Sequence, residues 1–428
     1  MFVSRPVPRP QGLGMTSGRS KKGSHHMHNK HSAACILTPL ALAAALALAA
    51  STGCTNKSGG GPAPGNTIVV GEYGSMTGDQ STFGVSTDNG VRLAVDQANA
   101  AGGVDGKQLS VSLQDDEGKL EKATVVAHYL VDNVHPTAVI GEVASGLSTP
   151  AAAVFNPAKV PMISPSSTNP KVTQIGPYIF RVCFIDPFQG TAAAKFAVQN
   201  LHAKKAAVMW DKSNQYSDGL AQYFEQSFKQ LGGTIVSEQH YSATDSSFQS
   251  PLTNIKATSP DILYVPGYYG NIGPIAKQAR QIGLTVPLMG GDGWDSEKLI
   301  EGAGGPGGAL EGSYFTNHYS VDNPDPKVQS FVSAYKTKYG SRPDALAALG
   351  YDAAGVLIAA LKTIGPPSDG DFASDAYRAK LRDAIAATKD YDGITGKITL
   401  NADRNAVKPA VVLQIHGAGY VYKATINP

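Results

Sequence analysis

Thr137-Ala138-Val139-Ile140-Gly141-Glu142-Val143-Ala144-Ser145 and Val160-Pro161-Met162-Ile163-Ser164-Pro165-Ser166-Ser167-Thr168-Asn169-Pro170 share one grammar: a short β-branched run that ends in small polar residues. Each apolar run reads as a buried strand, and the residues between them read as a helix capped by Ser145 or Ser148. If the two strands are parallel, both polar clusters stand at the carboxyl edge of one sheet, where open α/β folds bind ligands. Backbone N–H groups at a helix start, together with Ser and Thr hydroxyls, make a receptor for a carboxylate. Taken alone, the same residues serve equally well as helix caps and turns.

Working outward, the alternation persists. Thr67–Gly71 reads as a strand, Val85–Ala101 as a helix stopped by Gly102-Gly103, Leu109–Leu113 as a strand and Lys119–Asn133 as a helix. After Phe184 the pattern resumes with helices at 191–201, 218–231 and 272–282 and strands at 206–210, 234–238, 261–265 and 287–289. Two such blocks predict an α/β protein of two Rossmann-like lobes, with parallel sheets covered on both faces. Helical segments at 295–303, 325–339, 345–364 and 375–386, then strands at 398–400, 410–415 and 420–423, predict a chain that crosses between lobes more than once. The expected lobes are 66–185 with 318–406, and 186–317 with 407–428, hinged near Phe184–Pro187, His318–Val321 and Asn401–Asn405.

Residues 1–53 read as a leader, not as part of the fold. They carry six basic residues and no acid, and Ala33–Ala50 is a nearly continuous apolar stretch followed by small residues and Cys54. Met27-His28-Asn29-Lys30-His31 gives a short basic start, so 1–26 are read as untranslated upstream sequence. Cys54 after Ser51-Thr52-Gly53 resembles a bacterial lipobox, with Ser51 where that pattern has Leu. Residues 54–65 then form a flexible tether from a lipidated Cys54, and the expected location is the periplasm or the cell surface.

Charge and cysteine content exclude other classes. The whole chain has 36 basic and 34 acidic residues, and removing the leader leaves 30 against 34. No Lys/Arg run remains, which argues against nucleic acid as a partner. Cys183 is the one cysteine left after Cys35 and Cys54 are set aside, and the six histidines beyond the leader lack ligand spacing, so no disulfide, metal or cofactor is expected. Gly302-Ala303-Gly304-Gly305-Pro306-Gly307 matches a dinucleotide fingerprint by letter but follows a helix and contains proline. Neither a phosphate-binding loop nor a nucleophile with a base beside it is present, so no catalytic residue is assigned.

A set of weak motifs in fixed order is more specific. Met76-Thr77-Gly78 with Phe83-Gly84, Asn99 to Gly106, Pro161 to Pro165, Phe180-Arg181, Asp186 with Gln189-Gly190, Asp211 with Tyr216 and Gly219, Gly267-Tyr268, Gln278 to Arg280 and Met289-Gly290 run in order along the chain. Together they resemble the branched-chain amino-acid-binding proteins, the leucine/isoleucine/valine receptors of ABC importers, which have the type I periplasmic-binding-protein fold. The resemblance implies that Ser145 and Thr168, with the backbone of Ser166, hold an α-carboxylate. It implies that Tyr216 and Tyr268 come from the second lobe, and that Asp292 pairs with the α-ammonium where the family has Glu. Phe83 and Trp294 are expected to line an aromatic rim suited to an apolar side chain. The implied protein is a monomer without cofactor that captures a small amino acid by lobe closure and passes it to an ABC permease. The alternative is a ligand-sensing domain of the same fold, reporting amides or aromatic acids to a signalling partner.

Overall fold

The structure, a computed structural model, describes residues 67–428. The expected leader, the tether and the lipidation site Cys54 lie outside the described residues. The first half runs β1 (Thr67–Gly74), α1 (Ser81–Ala100), β2 (Gln108–Asp115), α2 (Leu120–Tyr129), β3 (Ala138–Ile140), α3 (Ser145–Phe155), β4 (Met162–Ser164), α4 (Lys171–Gln174) and β5 (Ile179–Arg181). Its strands form one parallel sheet in the order β2-β1-β3-β4-β5. Side chains alternate across that sheet, as the strand period of two requires. Ile68, Val70, Ala138, Ile140 and Ile163 face one core, while Tyr73, Val139, Met162 and Ile179 face another under α2 and α3. Burial on both faces is why these strands read as continuous apolar runs.

The chain then continues as α5 (Asp186–Gln199), β6 (Lys205–Asp211), α6 (Gln215–Gln230), β7 (Thr234–Tyr241), α7 (Gln249–Ala257), β8 (Ile262–Tyr264), α8 (Tyr269–Gln281), β9 (Leu288–Gly290), α9 (Glu297–Gly302) and β10 (Tyr314–Asn317). After β10 it returns to the first lobe as α10 (Pro326–Tyr339), α11 (Ala345–Ile364), α12 (Asp375–Ala386) and the hairpin β11 (Tyr391–Gly393) and β12 (Gly396–Ile398). It crosses once more to β13 (Ala410–His416) and β14 (Gly419–Ile426). The second sheet has the order β14-β13-β10-β9-β8-β6-β7.

This second sheet departs from an all-parallel arrangement. β13 runs antiparallel to β10, and β14 antiparallel to β13. For β13 and β14 the reason is local: Gly417-Ala418 is a two-residue turn with Gly417 at φ +59, and such a turn joins only antiparallel neighbours. The periodicity also misses α7 and β10. β10 is only four residues long, and the helix face of α7 is short, burying Leu252 and Ile255.

Returning helix α11 completes the first lobe's core by lying against α1. Gly90 and Gly350 face each other's helices there. A Cβ on Gly90 would stand 2.0 Å from the Ala347 carbonyl oxygen, and one on Gly350 2.5 Å from that of Thr87. The two backbones therefore meet closely only because both positions lack a side chain.

Candidate functional site

Both lobes converge on a small cavity with about 240 Å³ of empty space. Phe83, Val143, Ser145, Ser166 and Leu346 line it from the first lobe, and Tyr216, Tyr268, Asp292 and Gly293 from the second. The lobes touch around it. Thr82 Oγ1 and Ser296 Oγ lie 3.0 Å apart, Asn169 Nδ2 donates to the Gln215 carbonyl at 3.0 Å, and Gln215 Nε2 donates to Thr149 Oγ1 at 3.1 Å. The cleft is thus described in its closed form.

The first-lobe end of the cavity grows from the two polar loops after β3 and β4. Three hydroxyls, those of Ser148, Ser164 and Ser167, all donate to the Glu142 carbonyl at 3.0, 2.7 and 2.9 Å. They lock one loop onto the other and do not face the cavity. Neither Ser145 nor Ser148 caps α3: the cap position is Ala144, with no side-chain hydrogen bond. Ser145 is instead the first helical residue, with its Oγ accepting from Asn169 N at 3.2 Å. At this helix start the buried Glu142 carboxylate already accepts from Ala144 N, which leaves the N–H groups of the first turn beyond it for an anion.

Thr168 is not among the lining residues. It is fully buried, its hydroxyl lacks a partner, and its carbonyl accepts from Asp186 N at 3.0 Å. Asp186, at the start of α5, is also fully buried, and neither carboxylate oxygen completes a hydrogen bond. Burial pushes its pKa up to about 8, with the negative charge of Asp292 adding to the shift.

At the opposite end, Asp292 is held by three groups. Its Oδ1 accepts from Gln189 Nε2 and from the Tyr216 hydroxyl, both at 2.8 Å, and its Oδ2 faces His318 Nε2 at 2.9 Å. The Tyr216 hydroxyl also accepts from Gly293 N at 3.1 Å, and Asn214 caps α6 by accepting from Tyr216 N. Tyr216 stacks on Tyr268 with centroids 5.2 Å apart. Burial pushes both phenols well above their ordinary pKa, so they remain neutral donors. The glycines around Asp292 leave room for these rings, since a Cβ on Gly291 would stand 2.4 Å from the Tyr216 hydroxyl.

Phe83 is buried at the apolar wall, edge-on to Tyr268 at 5.9 Å and to Tyr269 at 5.0 Å. Trp294 corrects the expected rim. It is fully buried in the second lobe's core, its Nε1 donating to the Val265 carbonyl at 3.0 Å and its ring lying above Phe315. The tight 3₁₀ turn Asp292–Trp294 carries it away from the cavity that Asp292 faces. Sequence reading missed Val143 and Leu346 as lining residues and His318 and Gln189 as supports of Asp292. Gln189 stood among the recurring motifs and His318 at an expected hinge, but no local pattern ties either to Asp292, 103 and 26 residues away.

Comparison with known proteins agrees with this architecture. A family model described as periplasmic binding protein matches residues 67–419. A leucine-binding protein, LivK, of Thermotoga maritima is similar at 37% identity and TM-score 0.78, covering 84% of this chain and 99% of its own. The branched-chain amino acid transporter substrate-binding protein LivJ of Streptococcus pneumoniae, solved with isoleucine, is similar at 33% identity and TM-score 0.78, covering 85% and 100%. A solute-binding protein of an R. palustris ABC transporter, solved with benzoate, is similar at 26% identity and TM-score 0.75, covering 85% and 97%. The chain belongs to the periplasmic binding protein family, among the branched-chain amino-acid substrate-binding proteins of ABC transporters, and is a solute-binding protein rather than an enzyme.

Proposed function

We propose that the cleft captures a small amino acid with an apolar side chain, leucine, isoleucine or valine before others, and that the closed protein delivers it to an ABC permease. One observation carries this reading: the cavity has a hydroxyl and N–H end at Ser145 and Ser166, a carboxylate end at Asp292, and an apolar wall of Phe83, Val143 and Leu346 between them. A zwitterion with a hydrocarbon side chain complements all three. Thr168 would contribute through its unpartnered hydroxyl only if the ligand reaches past the lining residues.

Capture follows from the topology. Three crossings, between Arg181 and Asp186, after Asn317 and between Ile398 and Ala410, join the two sheets. We take them as the hinge and as the boundaries of lobes 66–185 with 318–406 and 186–317 with 407–428. Ligand docks on one lobe and the other closes over it. The protein acts as a monomer outside the cytoplasm, anchored through lipid on Cys54. Mass spectrometry of the membrane fraction tests the anchor, since an unmodified Cys54 in a protein retaining its leader would overturn it.

An aromatic acid, as in the benzoate-bound relative, is the second reading, favoured by the tyrosine pair and Phe83. It leaves Asp292 without a cationic partner. A thermal-shift screen of the mature protein decides. Leucine, isoleucine or valine at ~100 times its dissociation constant should add about 2.7 kcal/mol. Stabilisation by benzoates alone would replace the amino-acid reading.

A further inference from the structure

We infer that His318 is a specificity-determining residue of the cleft: by holding the Asp292 carboxylate from the hinge, it makes binding of the ligand's ammonium depend on its own proton. The inference rests on the amino-acid reading of the cavity and goes beyond it.

His318 sits where the chain leaves β10 for the first lobe. Its ring stacks on Phe184 of the first crossing with centroids 3.8 Å apart, and its Nε2 lies 2.9 Å from Asp292 Oδ2. Its side chain is 1% exposed, so the ring meets protein and not water. A carboxylate offers about four acceptor positions. Gln189, Tyr216 and His318 fill three of them, which leaves one for a ligand donor.

The charge of this cluster then depends on the imidazole. With His318 neutral, its N–H orients Asp292 and the cluster carries one negative charge, the complement of an ammonium. With His318 protonated the cluster is neutral, and an ammonium gains little by displacing water to reach it. Asp292 raises the affinity of the ring for a proton, but burial outweighs it and, with the charge of Lys408, holds the pKa below its ordinary value. The neutral ring is therefore the form present at pH 7, and the imidazolium appears on acidification.

Three groups near the pair keep their state between pH 5 and 7. Lys408, at the third crossing, and Asp186, at the first, titrate at about 8, and Cys183 at about 12. Asp344, two residues before the lining residue Leu346, titrates at about 7. Its influence would persist in a protein lacking His318.

The test compares two probes by calorimetry from pH 5 to 7. One is L-leucine, a zwitterion throughout; the other is L-2-hydroxy-4-methylpentanoate, which has hydroxyl in place of ammonium and stays anionic. In the wild type, leucine should weaken about tenfold or more between pH 7 and pH 5, while the hydroxy acid changes less than about threefold. In His318→Gln, which keeps a donor to Asp292 without a titrating ring, the leucine profile should keep only the change of less than about threefold that the hydroxy acid also shows, whatever its affinity at pH 7. A leucine profile that is flat in the wild type, or equally steep in His318→Gln, overturns the inference and leaves the amino-acid reading standing. Absence of leucine, isoleucine and valine binding at every pH overturns both.

Discussion

Replacing Asp292 by Asn keeps its shape and removes its charge, which makes this residue the sharpest test of what the cleft recognises. Gln189 and Tyr216 would donate to the amide oxygen as they do to Oδ1, while the amide NH2 would face His318 Nε2 and accept the ring's other tautomer as its partner. A ligand ammonium, however, would be left buried without its counter-charge, at a cost of roughly 2–5 kcal/mol. Asp292→Asn is therefore expected to weaken leucine binding by about 30-fold or more, as read by calorimetry at pH 7. Undiminished affinity in Asp292→Asn would mean that the ligand carries no ammonium. Trp294 makes the contrasting point at the same scale: it stands two residues away in sequence yet belongs to the core, because at three residues per 3₁₀ turn the two side chains leave the backbone about 120° apart.

Two elements far apart in sequence, α1 and α11, decide whether the first lobe can present Phe83 and Leu346 to one cavity. Their contact depends on paired glycines, and opposing effects meet at each. Alanine in a helix interior is worth about 1 kcal/mol more than glycine by intrinsic propensity. A Cβ on Gly90 would nevertheless stand 2.0 Å from the Ala347 carbonyl oxygen, inside any tolerable contact, and backbone cannot rotate away as a side chain would. Overpacking of this kind costs typically 1–3 kcal/mol. Gly90→Ala should therefore destabilise by up to about 2 kcal/mol, lowering the denaturation midpoint in urea. It should also weaken ligand binding, because the helix starts carrying Phe83 and Leu346 would be spread apart. A gain in stability would show that propensity wins and that the helices are free to separate.

The molecule as a whole carries a pH signature from charge buried at its crossings. Asp186 is fully buried at the first crossing, and burial pushes its pKa up to about 8 against the lowering effect of the nearby Thr168 hydroxyl. A carboxyl whose folded pKa lies above the unfolded value of about 3.9 binds more protons folded than unfolded. Its contribution to stability is therefore present at low pH and is lost as pH rises toward about 8. Asp186→Asn, which mimics the protonated group, should flatten that decline. Chemical denaturation of ligand-free protein at pH 5 and pH 8 should show the wild type losing at least ~1 kcal/mol more than the variant, the worth of about one pKa unit. Equal losses would place the Asp186 carboxyl in contact with water.

What could be read without coordinates was what is local or periodic. Strands such as Ala138–Ile140 announce themselves because burial on both faces demands unbroken apolar residues, and the βαβα alternation predicts parallel sheets. The two serine loops announce themselves because a sheet's carboxyl edge needs small polar residues there. Recurring motifs carried Ser145, Tyr216, Tyr268 and Asp292 to one site by resemblance, and all four line one cavity. Only the tertiary structure decided which hydroxyls face that cavity and which, like those of Ser148, Ser164 and Ser167, are spent on the Glu142 carbonyl. It alone sent Trp294 into the core and brought His318 and Gln189 to Asp292. The physical reason is the same in each case. Hydrogen-bond partners and side-chain direction are set by where distant segments meet, and no period in the chain encodes a meeting between residues 189, 292 and 318.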